Sequence, residues 1–212
     1  MGLAIAVGFL ADMKENDEEG YEWAQHMLAN VNRALSAERL PTWEEPEAVE
    51  VTLRPHADSF PYSFIHFLRR AYVLALAAPS DLPPTNGQLT SEDHERMEDE
   101  SAMLASHLLC HSDAEGVYVP VDLAEPVFAS PDSGVPGGGL IGSSQGLLRE
   151  LRIVAPYLGV TLDPDLSDAE AARLDALGWD EENPFHREHT VFLALWEAAR
   201  VSVAEGTAIV FT

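Results

Sequence analysis

Cysteine is nearly absent from this chain. Cys110 stands alone among 212 residues, so no intrachain disulfide can form and a disulfide-stapled secreted scaffold is excluded. Long apolar runs are missing too. The longest, Phe60 to Ala78, is broken by His66, Arg69 and Arg70, which argues against a membrane span. The apolar stretch Leu3 to Leu10 has no basic flank and runs at once into Asp12, Glu15 and Asp17, a context that does not suit a signal peptide. It is expected to be a buried strand, and the protein to be cytoplasmic.

Basic residues are the scarcest chemical class. Twelve Lys and Arg face 36 Asp and Glu, for a formal net charge of -24. Self-repulsion on that scale keeps a chain soluble but works against the compact state. Binding a nucleic-acid backbone needs clustered cations that displace counterions, and anionic membranes repel the same surface. The expected partner is therefore a basic protein, with neither nucleic acid nor membrane, and the oligomeric state stays open. The plainer reading is an acidic surface that only meets solvent.

Hydrophobic residues make up 46% of the chain, enough for a substantial core. We expect one α+β domain over residues 1–212, with a mixed, mostly antiparallel sheet and helices packed mainly on one face. The proline-rich segment 78–90 is the place for any internal boundary. Asn16 or Asp17 caps a helix whose inward stripe is Ala24, Met27, Leu28, Val31 and Leu35. Val49, Val51 and Leu53 alternate with polar residues, the period of a half-buried strand. Tyr62 to Ala78 reads as a central buried helix. Ser91 to about Ser106 reads as an acidic helix with Met97 and Leu104 inward and Glu92, Asp93, Glu95, Glu98, Asp99 and Glu100 outward. Ser130 to Gly146 reads as a glycine-rich loop before a helix capped by Ser143 or Ser144. Ser167-x-x-Glu170 is a capping box, and Asn183-Pro184 signals a last long helix. Ala208 to Phe211 closes as a strand.

The densest chemistry lies in His107-Leu-Leu-Cys-His-Ser-Asp-Ala-Glu115 and the following Gly116 to Asp122, which reads as strand, polar turn, strand. A spacing of four on a helix sets two imidazoles about 6 Å apart, suited to one metal ion with Asp113 or Glu115 as a third ligand. On a strand the same spacing is about 13 Å, too far to share an ion. His56, Asp58 and His66 form a second polar group beside the apolar helix. Cys110 between leucines is a small buried hydrophobe more readily than a nucleophile. The glycine-rich loop lacks the Gly-Lys-Ser/Thr of a P-loop and the dinucleotide spacing. No cofactor is called for, and whether the protein is an enzyme stays open.

Ser59 to Arg70, His107 to Asp122 and Gly142-Ser-Ser-Gln145 resemble the matching segments of a group of uncharacterised bacterial proteins. That resemblance implies no activity. In charge and size the chain is also similar to toxin-neutralising immunity proteins. The resulting expectation is a non-enzymatic, immunity-like binding module for a cationic partner, met by the acidic face from Glu92 to Glu100. The alternative is a metal-assisted hydrolase or small-ligand-binding protein built around His107 and His111, with Asp113, Glu115, His56, Asp58 and His66 in reach.

Overall fold

The computed structural model describes residues 2–78, 80–85 and 87–212; Met1, Pro79 and Asn86, the last two in the proline-rich segment above, lie outside the described residues. Strand β1 (Leu3–Val7) leads through Gly8, in the left-handed region, into α1 (Phe9–Asn16). The run to Leu10 was expected to be strand throughout. It stops at Gly8, whose φ of 68° turns the backbone out of the extended region into α1; a Cβ there would also meet the Val51 and Val49 side chains at 2.8 and 3.0 Å. Helix α2 (Glu18–Ala37) begins at Asp17, whose side chain accepts from the Gly20 N–H. Its five buried residues are the stripe read from the sequence.

After a short β2 (Ser59–Phe60) come α3 (Phe64–Leu76), α4 (Ser91–Ser101) and α5 (His107–Cys110). Residues 49–54 form no strand, against their alternation. They pair with no strand among the described residues; Thr52 instead accepts from Arg200, and the Arg54 backbone and guanidinium bind Glu197. Helix α4 opens on a full capping box between Thr90 and Asp93. It ends at Ser101, earlier than its pattern suggested, and leaves Leu104 exposed rather than inward.

The first half of the expected strand–turn–strand is helical. Ser106 caps α5 by accepting from the Leu109 N–H. The Glu150 carboxylate accepts from the His107 and Leu108 N–H groups and the Ser106 hydroxyl. These bonds satisfy the orphan donors of a helix start, so the Leu-Leu-Cys run has no need of a strand partner.

Strand β3 (Gly116–Val119), β4 (Val127–Phe128) and β5 (Leu140–Ser143) follow, then α6 (Ser144–Val154), α7 (Asp168–Trp179), α8 (His186–Glu205) and β6 (Ile209–Phe211). The glycine-rich loop thus carries a strand that was not foreseen. At β5, Gly142 lies under the Tyr118 ring, where a Cβ would come within 2.3 Å. The sheet order is β2-β1-β6-β3-β5-β4, parallel only between β3 and β5. This is a mixed, mostly antiparallel sheet, and the fold is α+β.

Alternate residues feed two cores. Tyr118, Ile209 and Phe211 face the larger layer of α3, α6, α7 and α8; Val117, Val119 and Val210 face α1 and α2. Most helices therefore lie on one face. Helix α8 is buried nearly all round, and its Trp196 and Phe192 rings stack 5.6 Å apart at the centre of that layer.

Candidate functional site

The histidines of the central stretch lie inside the molecule. His107 begins α5, and its Nδ1 accepts from the Ser143 N–H at 3.1 Å. The ring is held against Gly146, where a Cβ would come within 2.1 Å. Burial pushes its imidazole down to about 4. His111 lies just past the helix. Its ring stacks on Tyr118 at 4.0 Å and meets the edge of Phe211, while Nδ1 donates to the Ser112 carbonyl. Burial holds it down at about 3, so both rings are neutral at pH 7. Arg69 donates to the Leu108 and His111 carbonyls.

The structure joins one pair from the predicted set: His66 Nε2 and Asp113 Oδ2 are 3.0 Å apart. His56 bonds the Arg54 carbonyl, and Asp58 and Glu115 are exposed. Among the described residues, no three His, Cys, Asp or Glu side chains gather where one metal ion could be held. Cys110 is half-buried, and burial raises its thiol.

The acidic exterior has a different organisation. On α4, Glu92, Glu95, Glu98 and Asp99 are exposed and Glu100 is half-buried. Asp93 turns inward, where its carboxylate accepts from the Thr90 N–H and binds Arg70 at 2.8 Å. Of the outward five, Glu92 alone carries an ion pair among the described residues, with Arg96. A second acidic face covers α1 and the start of α2: Asp12, Glu15, Asp17, Glu18, Glu19 and Glu22 are all exposed. Trp23, half exposed, stands beside them with Phe9 edge-on at 5.9 Å. In the sequence, Asp12, Glu15 and Asp17 count only against a signal peptide and Asp17 as a helix cap. The overlooked signal was their number, six carboxylates between residues 12 and 22.

The cations do little to neutralise these faces. The chain has one lysine, Lys14. It lies within the α1 cluster but reaches out to Glu47 at 2.6 Å, and that bond, with one from Tyr21, holds Glu47 below the usual carboxylate range. Arg54 and Arg200 converge on Glu197, which is fully buried at the centre of α8. Arg149, Arg152 and Arg173 pair with Asp122, Asp165 and Glu170, and Arg187 lies over the Phe64 and Phe67 rings. Each of these cations is committed away from α2 and α4; on the helices themselves stand Arg33, which donates to Asn30, and Arg96, which pairs with Glu92.

Axial spacing gives the electrostatic consequence. At about 1.5 Å per helical residue, the five outward acids of 92–100 on α4 come at about one carboxylate per 3 Å. Duplex DNA carries one phosphate per about 3.4 Å along each strand.

A family model described as "Putative DNA-mimic protein" matches residues 1–211. No match was found among curated proteins or solved structures. The family match corrects the partner expectation, which left nucleic acid out. The family's description points toward proteins that bind DNA, which agrees with a basic partner.

Proposed function

The chain belongs to this DNA-mimic family, and from that premise we propose that it is a non-enzymatic binding protein which occupies the DNA-binding surface of another protein. The carrying observation is the distribution of charge: two helical faces of exposed carboxylates that hold only Lys14, Arg33 and Arg96 as cations of their own, while most of the arginines pair elsewhere on the molecule. A DNA-binding surface is built to receive closely spaced anions and to release counterions when it does. A row of carboxylates at phosphate-like axial density meets the same surface and gains the same steering. The neutralising role suggested by charge and size takes this form, in which DNA and the protein compete for one site. Trp23 supplies an aromatic anchor beside the α1–α2 face, the kind of residue that dominates interface energetics.

Affinity capture tests the proposal. The full chain, immobilised, is exposed to a nucleic-acid-depleted bacterial lysate and washed at low salt. The expected result is a set of retained proteins that bind DNA and elute when duplex DNA is added. Retention of proteins with no DNA-binding activity, or retention that excess duplex leaves unchanged, would overturn it.

A further inference from the structure

Away from both acidic helices, a cleft of about 220 Å³ opens between the end of α7, the start of α8 and the β2 edge. Phe60, Pro61, Phe64 and Leu193 line its apolar wall. Its rim has a different chemistry. Trp179 is the most exposed tryptophan of the chain, at 71%, and its indole N–H donates to Asp175 Oδ1 at 3.2 Å, which ties the ring beside a carboxylate. Glu181 stands on the same rim. Among the described residues, neither Asp175 nor Glu181 is paired with a basic side chain. Gly178 lets the end of α7 approach α8, since a Cβ there would meet the Thr190 hydroxyl at 2.7 Å.

An apolar wall, an indole face and two carboxylates without a basic partner among the described residues define a narrow class of occupant. It needs a hydrocarbon stem and a cationic head. A purely apolar ligand would leave both carboxylates unused, and an anion would be repelled by them. Arginine suits the cleft better than lysine, because its planar, weakly hydrated guanidinium stacks on aromatic rings and forks onto carboxylates. We propose that this cleft is a receptor for a single arginine side chain of the protein partner, gripped by Trp179 and countered by Asp175 and Glu181. The source of that arginine rests on the DNA-mimic reading. Proteins that bind DNA carry protruding arginines that enter the minor groove or fork onto guanine, and a mimic that accepts one gains a fixed point of registration that a carboxylate row lacks.

The test uses the ¹⁵N-labelled full chain and three capped tripeptides, Gly-Arg-Gly, Gly-Lys-Gly and the isosteric neutral Gly-citrulline-Gly. The readout is the Trp179 indole N–H resonance, assigned by its absence in Trp179→Phe. The arginine peptide should shift it saturably, the lysine peptide more weakly, and the citrulline peptide not at all. Asp175→Asn with Glu181→Gln should weaken the arginine peptide by about fivefold per carboxylate, the scale of an exposed ion pair. Equal binding of the citrulline peptide, or no Trp179 shift with arginine, would overturn the proposal. Lysate capture by the same double variant separates the two readings. Unchanged retention, still reversed by DNA, would overturn the arginine cleft and leave the mimic reading standing. Weakened retention that DNA still reverses supports both, whereas arginine-peptide binding without any DNA-reversible retention would sink the mimic reading alone.

Discussion

The carboxylates inside this molecule and those on α2 and α4 are the same chemical groups in opposite employment. Glu45, Glu150 and Glu197 are buried, and each is surrounded by donors: Thr207, Ala208 and Trp43 for the first; Ser106, His107 and Leu108 for the second; Arg54 and Arg200 for the third. They fasten a loop, a helix start and an arginine pair to the core. On the outer faces Glu95, Glu98, Asp99, Glu18, Glu19 and Glu22 have no basic partner among the described residues. A group that fastens a core must have its desolvation offset by hydrogen bonds. A group meant for a partner must stay hydrated and uncommitted until that partner arrives. Net charge alone cannot separate these two populations, but the location of the arginines does.

The comparison is broken most severely at Glu197. Glu197→Ala leaves Arg54 and Arg200 facing a buried gap, and removal of one partner from a buried ion pair costs about 3–5 kcal/mol. Urea denaturation should show that loss, while capture of DNA-binding proteins by the folded fraction stays the same. A smaller effect is expected at Glu150, where burial outweighs three donors and lifts the carboxyl to about 7. The folded pKa lies above the unfolded one, so between about pH 4.5 and 7 the folded state holds the extra proton, and this group's contribution weakens as pH rises through that window. Glu150→Gln removes that titration. The stability difference between variant and parent should therefore change across the window, and a difference that stays flat would contradict the assignment.

The smallest effect on stability, and the largest on binding, belongs to the surface. Changing Glu95, Glu98 and Glu100 to Gln with Asp99→Asn should move stability by no more than about 0.5 kcal/mol, in the stabilising direction as self-repulsion falls. The same change should slow partner association and flatten its salt dependence, measurable by surface plasmon resonance at two ionic strengths. A destabilisation comparable to that of Glu197→Ala would mean that these acids belong with the core group.

Much of this fold can be read from local patterns, because period and caps decide it. The α2 stripe, the Thr90, Ser143 and Ser167 caps and the terminal strand all stand where propensity and hydrophobic spacing place them. The failures occur where a distant group decides. Residues 49–54 alternate like a strand, yet Glu197 and Arg200, far along the chain, claim their polar groups. The His107 run is helical because Glu150 reaches its N–H groups from α6. Strand β5 was hidden by glycines that make room for Tyr118. At the surface, the α4 acids other than Asp93 are visible as an outward face, whereas those of α1–α2 read only as a context unsuited to a signal peptide and as a helix cap. The commitment of the arginines, which leaves both faces negative, follows from tertiary packing and has no local signature.

Competition binding is the most direct test of the central claim. A DNA-binding protein captured by the chain is loaded with fluorescent duplex DNA, and the unlabelled chain is titrated in while polarisation is followed. The account predicts full displacement of the duplex along a single competition curve that weakens steeply with salt. A stable ternary complex, in which the chain binds and the duplex stays, would contradict it.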